Sequence, residues 1–194
     1  MLTGKNIGFA ITASFCTVTE ILDTLQSLKQ TGANIYPIVS DNVLNLHSRF
    51  HNKDDFLAQL EAITGNSIIS TTAQAETLGP DKPVDIIVIA PATGTTVAKL
   101  ANGISDNAVL MASKATLRNG KPVLIALFSN DALGANGVNI AKLYNTKNIY
   151  FVPFGQDNPF KKPTSLTADL SQLNAALECA LKGQQIQPAI IVHS

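Results

Sequence analysis

The sequence predicts a three-layer α/β fold, an open parallel sheet with helices on both faces. Strand-like and helix-like segments alternate about five times, and crossovers of that kind build parallel sheets covered on both sides. The two best-defined strand segments, Asp85 to Ala90 (DIIVIA) and Pro122 to Phe128 (PVLIALF), are apolar runs with little alternation, as strands buried on both faces are. Short polar residues also follow successive strand segments: Ser14, Ser40, Thr93 and Ser129. In an open α/β sheet the carboxyl ends of the strands form the ligand-binding edge.

Asn6 to Thr12 (NIGFAIT) reads as the first strand and runs into the tight turn Ala13-Ser14-Phe15-Cys16-Thr17. Thr17 and Glu20 fit a capping box. Val18, Ile21, Leu22, Leu25 and Leu28 then share one helical face, and Gly32 ends that helix. Cys16 reads as a small packing residue beside this turn. Only Gly8 is a glycine here, so G-x-G-x-x-G is absent and dinucleotide binding of the Rossmann kind is disfavoured. Asn34 to Val39 is the second strand. Pro37 cannot donate to a ladder and so places it at an edge, as the order 2-1-3-4-5 does, with room for a sixth strand. Asp54 to Ile63 carries Phe56, Leu57, Leu60 and Ile63 at helical spacing. Ser67 to Ser70 is a short strand candidate, and Thr71 to Pro83 a polar loop.

The central strand, Asp85 to Ala90, is stopped by Pro91. Thr93-Gly94-Thr95-Thr96 is a turn rich in hydroxyls, and Thr95 or Thr96 caps a helix over Val97 to Asn102. A strand, a small-residue turn and a helix start form a ready anion site. A second polar turn, Asn102 to Asn107, precedes a helix towards Leu117, with Lys114 and Arg118 near its C-terminus. Either Asp106 or Asn107 caps it. Ser129-Asn130-Asp131 follows the next strand, and Gly134, Asn136 and Gly137 mark a mobile or close-packed loop. Ile149 to Pro153 is a last strand, Phe154 to Pro163 an exposed loop. Leu166, Leu170, Leu173, Leu177 and Leu181 space a final helix. No linker or repeat divides residues 1–194, so a single domain is expected, with a tail from Gly183 that is loose or packed on a neighbour.

The formal charge is zero, from 14 basic and 14 acidic residues. Nothing in that balance suggests a nucleic-acid or membrane surface. Charged residues are only 14% and apolar ones 45%, against the usual quarter charged, so part of the surface is expected to be buried between subunits. Cys16 and Cys179 make no disulfide framework. His47, His51 and His193 have no zinc spacing, so no metal is expected. No signal peptide and no membrane-length apolar run is present, so the expected location is the cytoplasm.

Three stretches carry a resemblance: TASFCTV (12–18), PATGTTVAKLANGISDN (91–107) and LFSNDALG (127–134). Through them, over roughly Lys5 to Asn158, the chain resembles the homo-oligomeric flavin-containing cysteine decarboxylases, a family of flavoproteins. The resemblance implies a flavodoxin-like fold, a trimer or multiple of trimers, and FMN held between adjacent subunits. By it, Ser14 falls in the loop that contacts the flavin phosphate, with Thr17 nearby, and Ser40 serves the cofactor after the second strand. Thr93 and Thr96 match hydroxyl residues of the family's P-A-S/N-x-N-T element, and Thr95 replaces its asparagine. Ser129, in the same relative place after its strand, joins these cofactor-binding candidates.

Two departures shape the expected chemistry. The decarboxylases' active-site histidine has no counterpart in Ile69 to Gly79 (ISTTAQAETLG), and their P-x-M-N-x-x-M-W element is replaced by Phe128 to Leu133. The scaffold is kept and the decarboxylating machinery is not. The resemblance then implies one half of a two-part enzyme. With its partner, the A subunit, it would oxidise dihydrodipicolinate to dipicolinate (pyridine-2,6-dicarboxylate) in the mother cell of a sporulating bacterium. The partner would carry NADP(H). Aromatising the dihydropyridine ring removes a hydride, which a flavin accepts, and a proton, for which Asp106 and Asp131 are candidate bases. A small dicarboxylate asks for cationic or N–H contacts: Lys99, Asn107 and Asn130 are the candidates, and the resemblance places Asn107 at the active site. The plain alternatives are helix caps for Asp106, Asn107 and Asp131, and a solvated interface lysine for Lys99. Two other functions fit the same residues: an independent flavin-dependent oxidoreductase, and a non-catalytic cofactor-holding protein.

Overall fold

A computed structural model describes residues 1–13, 18–45, 53–79 and 84–192. Its elements are β1 (Asn6–Ile11), α1 (Val18–Gln30), β2 (Asn34–Val39), α2 (Asp41–Asn45), α3 (Lys53–Thr64), α4 (Thr72–Glu76) and β3 (Ile86–Thr93). The second half adds α5 (Gly94–Ala101), α6 (Ala108–Arg118), β4 (Val123–Ser129), α7 (Gly137–Tyr144), β5 (Ile149–Phe151), β6 (Phe154–Gly155), β7 (Leu166–Ala168) and α8 (Leu173–Leu181).

The sheet runs β2-β1-β3-β4-β7-β6, with β5 also on β4. The first four strands are parallel. β4 divides its outer edge: Val123 to Ile125 pair in parallel with β5, while Phe128 and Ser129 pair antiparallel with β7. The order 2-1-3-4-5 is therefore present, extended beside β5 by an antiparallel β7–β6 pair. Edge strand β2 carries Pro37, where a missing N–H costs no inner ladder bond.

β3 and β4 are central because their sequences bury both faces: Ile86 to Ala90 and Val123 to Leu127 are at 0% exposure. Each such Ile, Leu or Val contributes about 1.5–3 kcal/mol, more than a helix cap's roughly 1 kcal/mol, so the strands outweigh local signals. Gly8 makes room between its neighbours, since a Cβ there would collide with the Ile87 side chain. Asp85 squares the start of the sheet by accepting the Asn6 amide at 2.9 Å.

Several boundaries differ from the sequence reading. Pro91 does not stop the central strand. β3 shifts register between Ile89 and Ala92 and continues to Thr93, and the Pro91 carbonyl accepts the Thr12 hydroxyl at 2.7 Å. The following helix begins at Gly94, earlier than Val97, with Thr93 as its cap residue and no side-chain cap bond from it. Of Ser67 to Ser70, Ile69 alone forms a bridge, to Ile38. The polar stretch from Thr71 contains α4, closed by a Thr71–Gln74 capping box. Gly134 to Gly137 leads into α7. Phe154 and Gly155 are buried as β6 instead of lying in an exposed loop. The last helix starts only at Leu173, because Leu166 belongs to β7 and Asp169 caps a 3₁₀ turn, Leu170–Gln172. Beyond Gly183, Gln185 bonds both backbone groups of Phe151 at 2.8 and 2.7 Å, and Ile191 donates to the Phe154 carbonyl at 3.0 Å. Among the described residues no helix is long and apolar enough to cross a membrane.

Candidate functional site

The carboxyl ends of β1, β2 and β3 and the start of α5 converge on a cleft of about 300 Å³. Its floor is a set of hydroxyls. Thr12 Oγ1 donates to Pro91 O and accepts the Thr93 amide at 3.1 Å. Thr93 Oγ1 and Thr96 Oγ1 lie 3.0 Å apart. Thr95, also in the lining, is exposed. Ser40 lines the cleft at 6% exposure, and its Oγ has no hydrogen-bond partner among the described residues. An unpaired buried hydroxyl costs about 1–3 kcal/mol, so Ser40 is a donor awaiting an acceptor. Thr12 is a site residue that sequence reasoning missed. Its signal was a polar residue closing an apolar strand.

The opposite wall comes from the turn between α5 and α6. Lys99 Nζ lies 2.6 Å from Asp106 Oδ2, and both line the cleft. Asn107 is the N-cap of α6, its Oδ1 accepting the Leu110 amide at 3.0 Å. Asp106 is therefore not the cap. The cap uses only the carboxamide oxygen of Asn107, and its Nδ2 has no partner among the described residues. Capping and ligand contact are thus compatible in one asparagine.

Ser129 and Asn130 lie elsewhere. They line a second, larger cavity of about 850 Å³ between α1, the end of β4 and the segment from Asp157 to Asn174. Glu20, Asp23, Asp157 and Asp169 face it, against a single lysine, Lys162, which pairs with Asp157 at 3.0 Å. Asn130 is engaged through its carbonyl, which accepts Thr164 Oγ1 at 2.6 Å. Asp131 lines neither cavity. It accepts Ser129 Oγ at 2.5 Å and Asn136 Nδ2 at 2.8 Å. The Ser129 hydrogen bond, partly opposed by desolvation and seconded by Asn136, holds its carboxyl below the usual aspartate range. Asn139 continues this chain to Asn136 at 2.9 Å.

Gly94 backs onto this network. A Cβ on it would lie 2.6 Å from Ser129 Oγ, 2.7 Å from Asn136 Nδ2 and 2.8 Å from Asp131 Oδ1. Ser14, Cys16 and Thr17, and the three histidines, lie outside the described residues. Among the described residues no group of His, Cys, Asp or Glu is placed to hold a metal. Asp41 also lines the cleft, and Lys99 is paired with Asp106, so it is the hydroxyls, the orphaned Ser40 among them, that suit the polar and anionic parts of a flavin nucleotide.

A parallel sheet with a hydroxyl-lined cleft at its carboxyl edge defines the class, and similarity to known proteins agrees. Residues 1–177 match the family model described as Flavoprotein. The chain is 45% identical over 190 residues to the B subunit of dipicolinate synthase from Bacillus subtilis (strain 168), covering 98% of this chain and 95% of that one. The crystal structure of the corresponding B subunit from Bacillus halodurans matches with a TM-score of 0.92 at 45% identity, covering 100% of this chain and 99% of that one. The FMN-dependent cysteine decarboxylase SpaF shares the fold, with a TM-score of 0.67 at 22% identity, covering 93% and 99%. The chain belongs to the flavoprotein family and, within it, groups with the B subunits of dipicolinate synthase.

Proposed function

We propose that the chain works as the B subunit of a dipicolinate synthase. Together with the A subunit it oxidises dihydrodipicolinate to dipicolinate, in the mother-cell cytoplasm of a sporulating bacterium. The observation that carries this reading is the end-to-end similarity to the Bacillus subtilis protein.

FMN belongs in the hydroxyl cleft, held by Ser40, Thr93, Thr95 and Thr96, and the family resemblance assigns Ser14 and Thr17, outside the described residues, to its phosphate. When bound, the flavin supplies a hydride acceptor. Lys99 and the Nδ2 of Asn107 face the same space and address a substrate carboxylate. Asp131 is a poor base where it stands, because two donors occupy its oxygens and lower its proton affinity. NADP(H) is assigned to the A subunit. The low charge, and exposed Ile104, Leu133 and Val138, support a homotrimer or a multiple of it, with the flavin site completed by a neighbouring copy.

The test is reconstitution. The chain, the A subunit, FMN, NADP⁺ and dihydrodipicolinate are combined and dipicolinate is followed by its absorbance. Product at a rate well above that of the A subunit alone is expected. An equal rate without this chain sinks the reading in favour of a non-catalytic protein, and full turnover by this chain alone points to an independent oxidoreductase. A separate FMN titration followed by flavin fluorescence should saturate. No saturation removes the cofactor assignment.

A further inference from the structure

The pair Lys99–Asp106 has a role that neither a general base nor a helix cap describes. α5 ends in a turn fixed by its own backbone. Gly103, at φ +71°, follows the C-cap Asn102, and only glycine adopts that conformation without cost. The Gly103 amide donates to Leu100 O at 3.1 Å and the Ile104 amide to Lys99 O at 3.0 Å. This double closure is a Schellman motif. It folds the chain back over Lys99 and carries Asp106 to the lysine, whatever the side chains do. Downstream, Asn107 holds α6 without help from Asp106. The carboxylate thus sits between a backbone closure and a side-chain cap and is needed by neither. Lys99 is one-third exposed on a flexible four-carbon stem, and such a stem loses rotamer freedom when it must find a ligand.

We infer that Asp106 is a positioning residue, which holds the Lys99 ammonium over the cleft to receive one carboxylate of the substrate. This rests on the reading that the cleft takes a dicarboxylate. The inference has an unusual sign. Removing a negative charge beside a dianion relieves repulsion and by Coulomb's law alone tightens binding. A positioning role predicts the opposite.

Two measurements decide it. In the reconstituted mixture, Asp106→Asn should raise the KM for dihydrodipicolinate at least threefold, with the effect in KM more than in kcat. Asp106→Glu, which restores the charge, should recover most of it, and Asp106→Asn should add nothing in a Lys99→Met background. An unchanged or lower KM, or a fall in kcat alone, overturns the inference. The second readout needs no turnover. Acetylation of Lys99 by an N-hydroxysuccinimide ester, followed by mass spectrometry, should be at least threefold faster in Asp106→Asn than in the unsubstituted chain. Equal rates overturn the inference. An unsubstituted mixture that makes no dipicolinate counts against the functional reading instead, and the labelling rates then decide only whether Asp106 holds Lys99.

Discussion

The two cavities at the strand ends differ in what they can hold. The smaller is hydroxyl-lined and, among the described residues, sets Asp41 and Asp106 against Lys99. The larger has nearly three times the volume and, among the described residues, four carboxylates against one lysine. A dianionic substrate or a phosphate meets less opposing charge in the first. The larger hole is therefore the poorer candidate for this chemistry, and the balance of charge outranks size. Near the small cleft, the bare Cα of Gly94 lets Ser129, Asp131 and Asn136 pack against the start of α5.

The largest effect is expected from crowding that network. Gly94→Ala drives a methyl into three polar atoms of a hydrogen-bonded network in which Ser129 and Asn136 are buried. The cost should be about 2 kcal/mol, the usual range for overpacking, read as a lower thermal midpoint. A midpoint equal to that of the parent would show that the network yields freely.

Asn107→Asp sharpens the comparison from the small-cleft side. The aspartate keeps an oxygen for the Leu110 amide and suits a helix N-terminus, so the thermal midpoint should hold. It replaces the free Nδ2 donor by negative charge, and dipicolinate formation by the mixture should fall at least tenfold, about 1.4 kcal/mol of transition-state stabilisation. Unchanged turnover would leave Asn107 as a cap only.

Within that network, Asp131 has a lowered proton affinity in the fold, first through Ser129. Its contribution to stability is present above its unfolded pKa of about 3.9 and is lost as pH falls through the lower folded value. Asp157 and Glu178 are lowered too. Asp131→Asn should therefore flatten part of the stability loss below about pH 4, as followed by urea denaturation at stepped pH. An identical acid limb would remove Asp131 from the balance.

The smallest expected effect separates two neighbours. Asn107→Ala deletes the cap and should cost about 1 kcal/mol. Asp106→Ala breaks only a half-exposed ion pair and should cost about 0.5 kcal/mol or less. Equal shifts in thermal midpoint would mean that Asp106 shares the capping.

How much of this was legible in the sequence follows from the range of each interaction. β2 is found at Asn34–Val39, because an apolar run with a proline is a local signal with one topological solution. Parallel pairing followed from the alternation, and the edge place of β2 from Pro37. Pro91 misled because its missing N–H was weighed without the Thr12 bonds and register shift that absorb it. The even spacing of leucines hid the change from β7 to α8, since pairing with β4 is a long-range choice. Ser129 follows its strand as Ser40 does, yet it faces the other cavity. Strand-end position says which edge a residue is on, not which cavity it faces. Asp106 and Asn107 were interchangeable as residue types, and only the helix geometry separated cap from ion pair.

The buried hydroxyl of Thr12 has a consequence best counted in hydrogens. Its single proton goes to the Pro91 carbonyl, and its oxygen is already approached by the Thr93 amide. It therefore has no hydrogen to offer an anion, although it stands in the lining. Thr93 and Thr96 own two protons and use one between them, which leaves one to give. Ser40 gives another. An oxyanion entering this cleft is steered by where those hydrogens are, away from Thr12 and towards Ser40 and the first turn of α5. A threonine that lines the cleft like a ligand-binding residue is the mortar behind it.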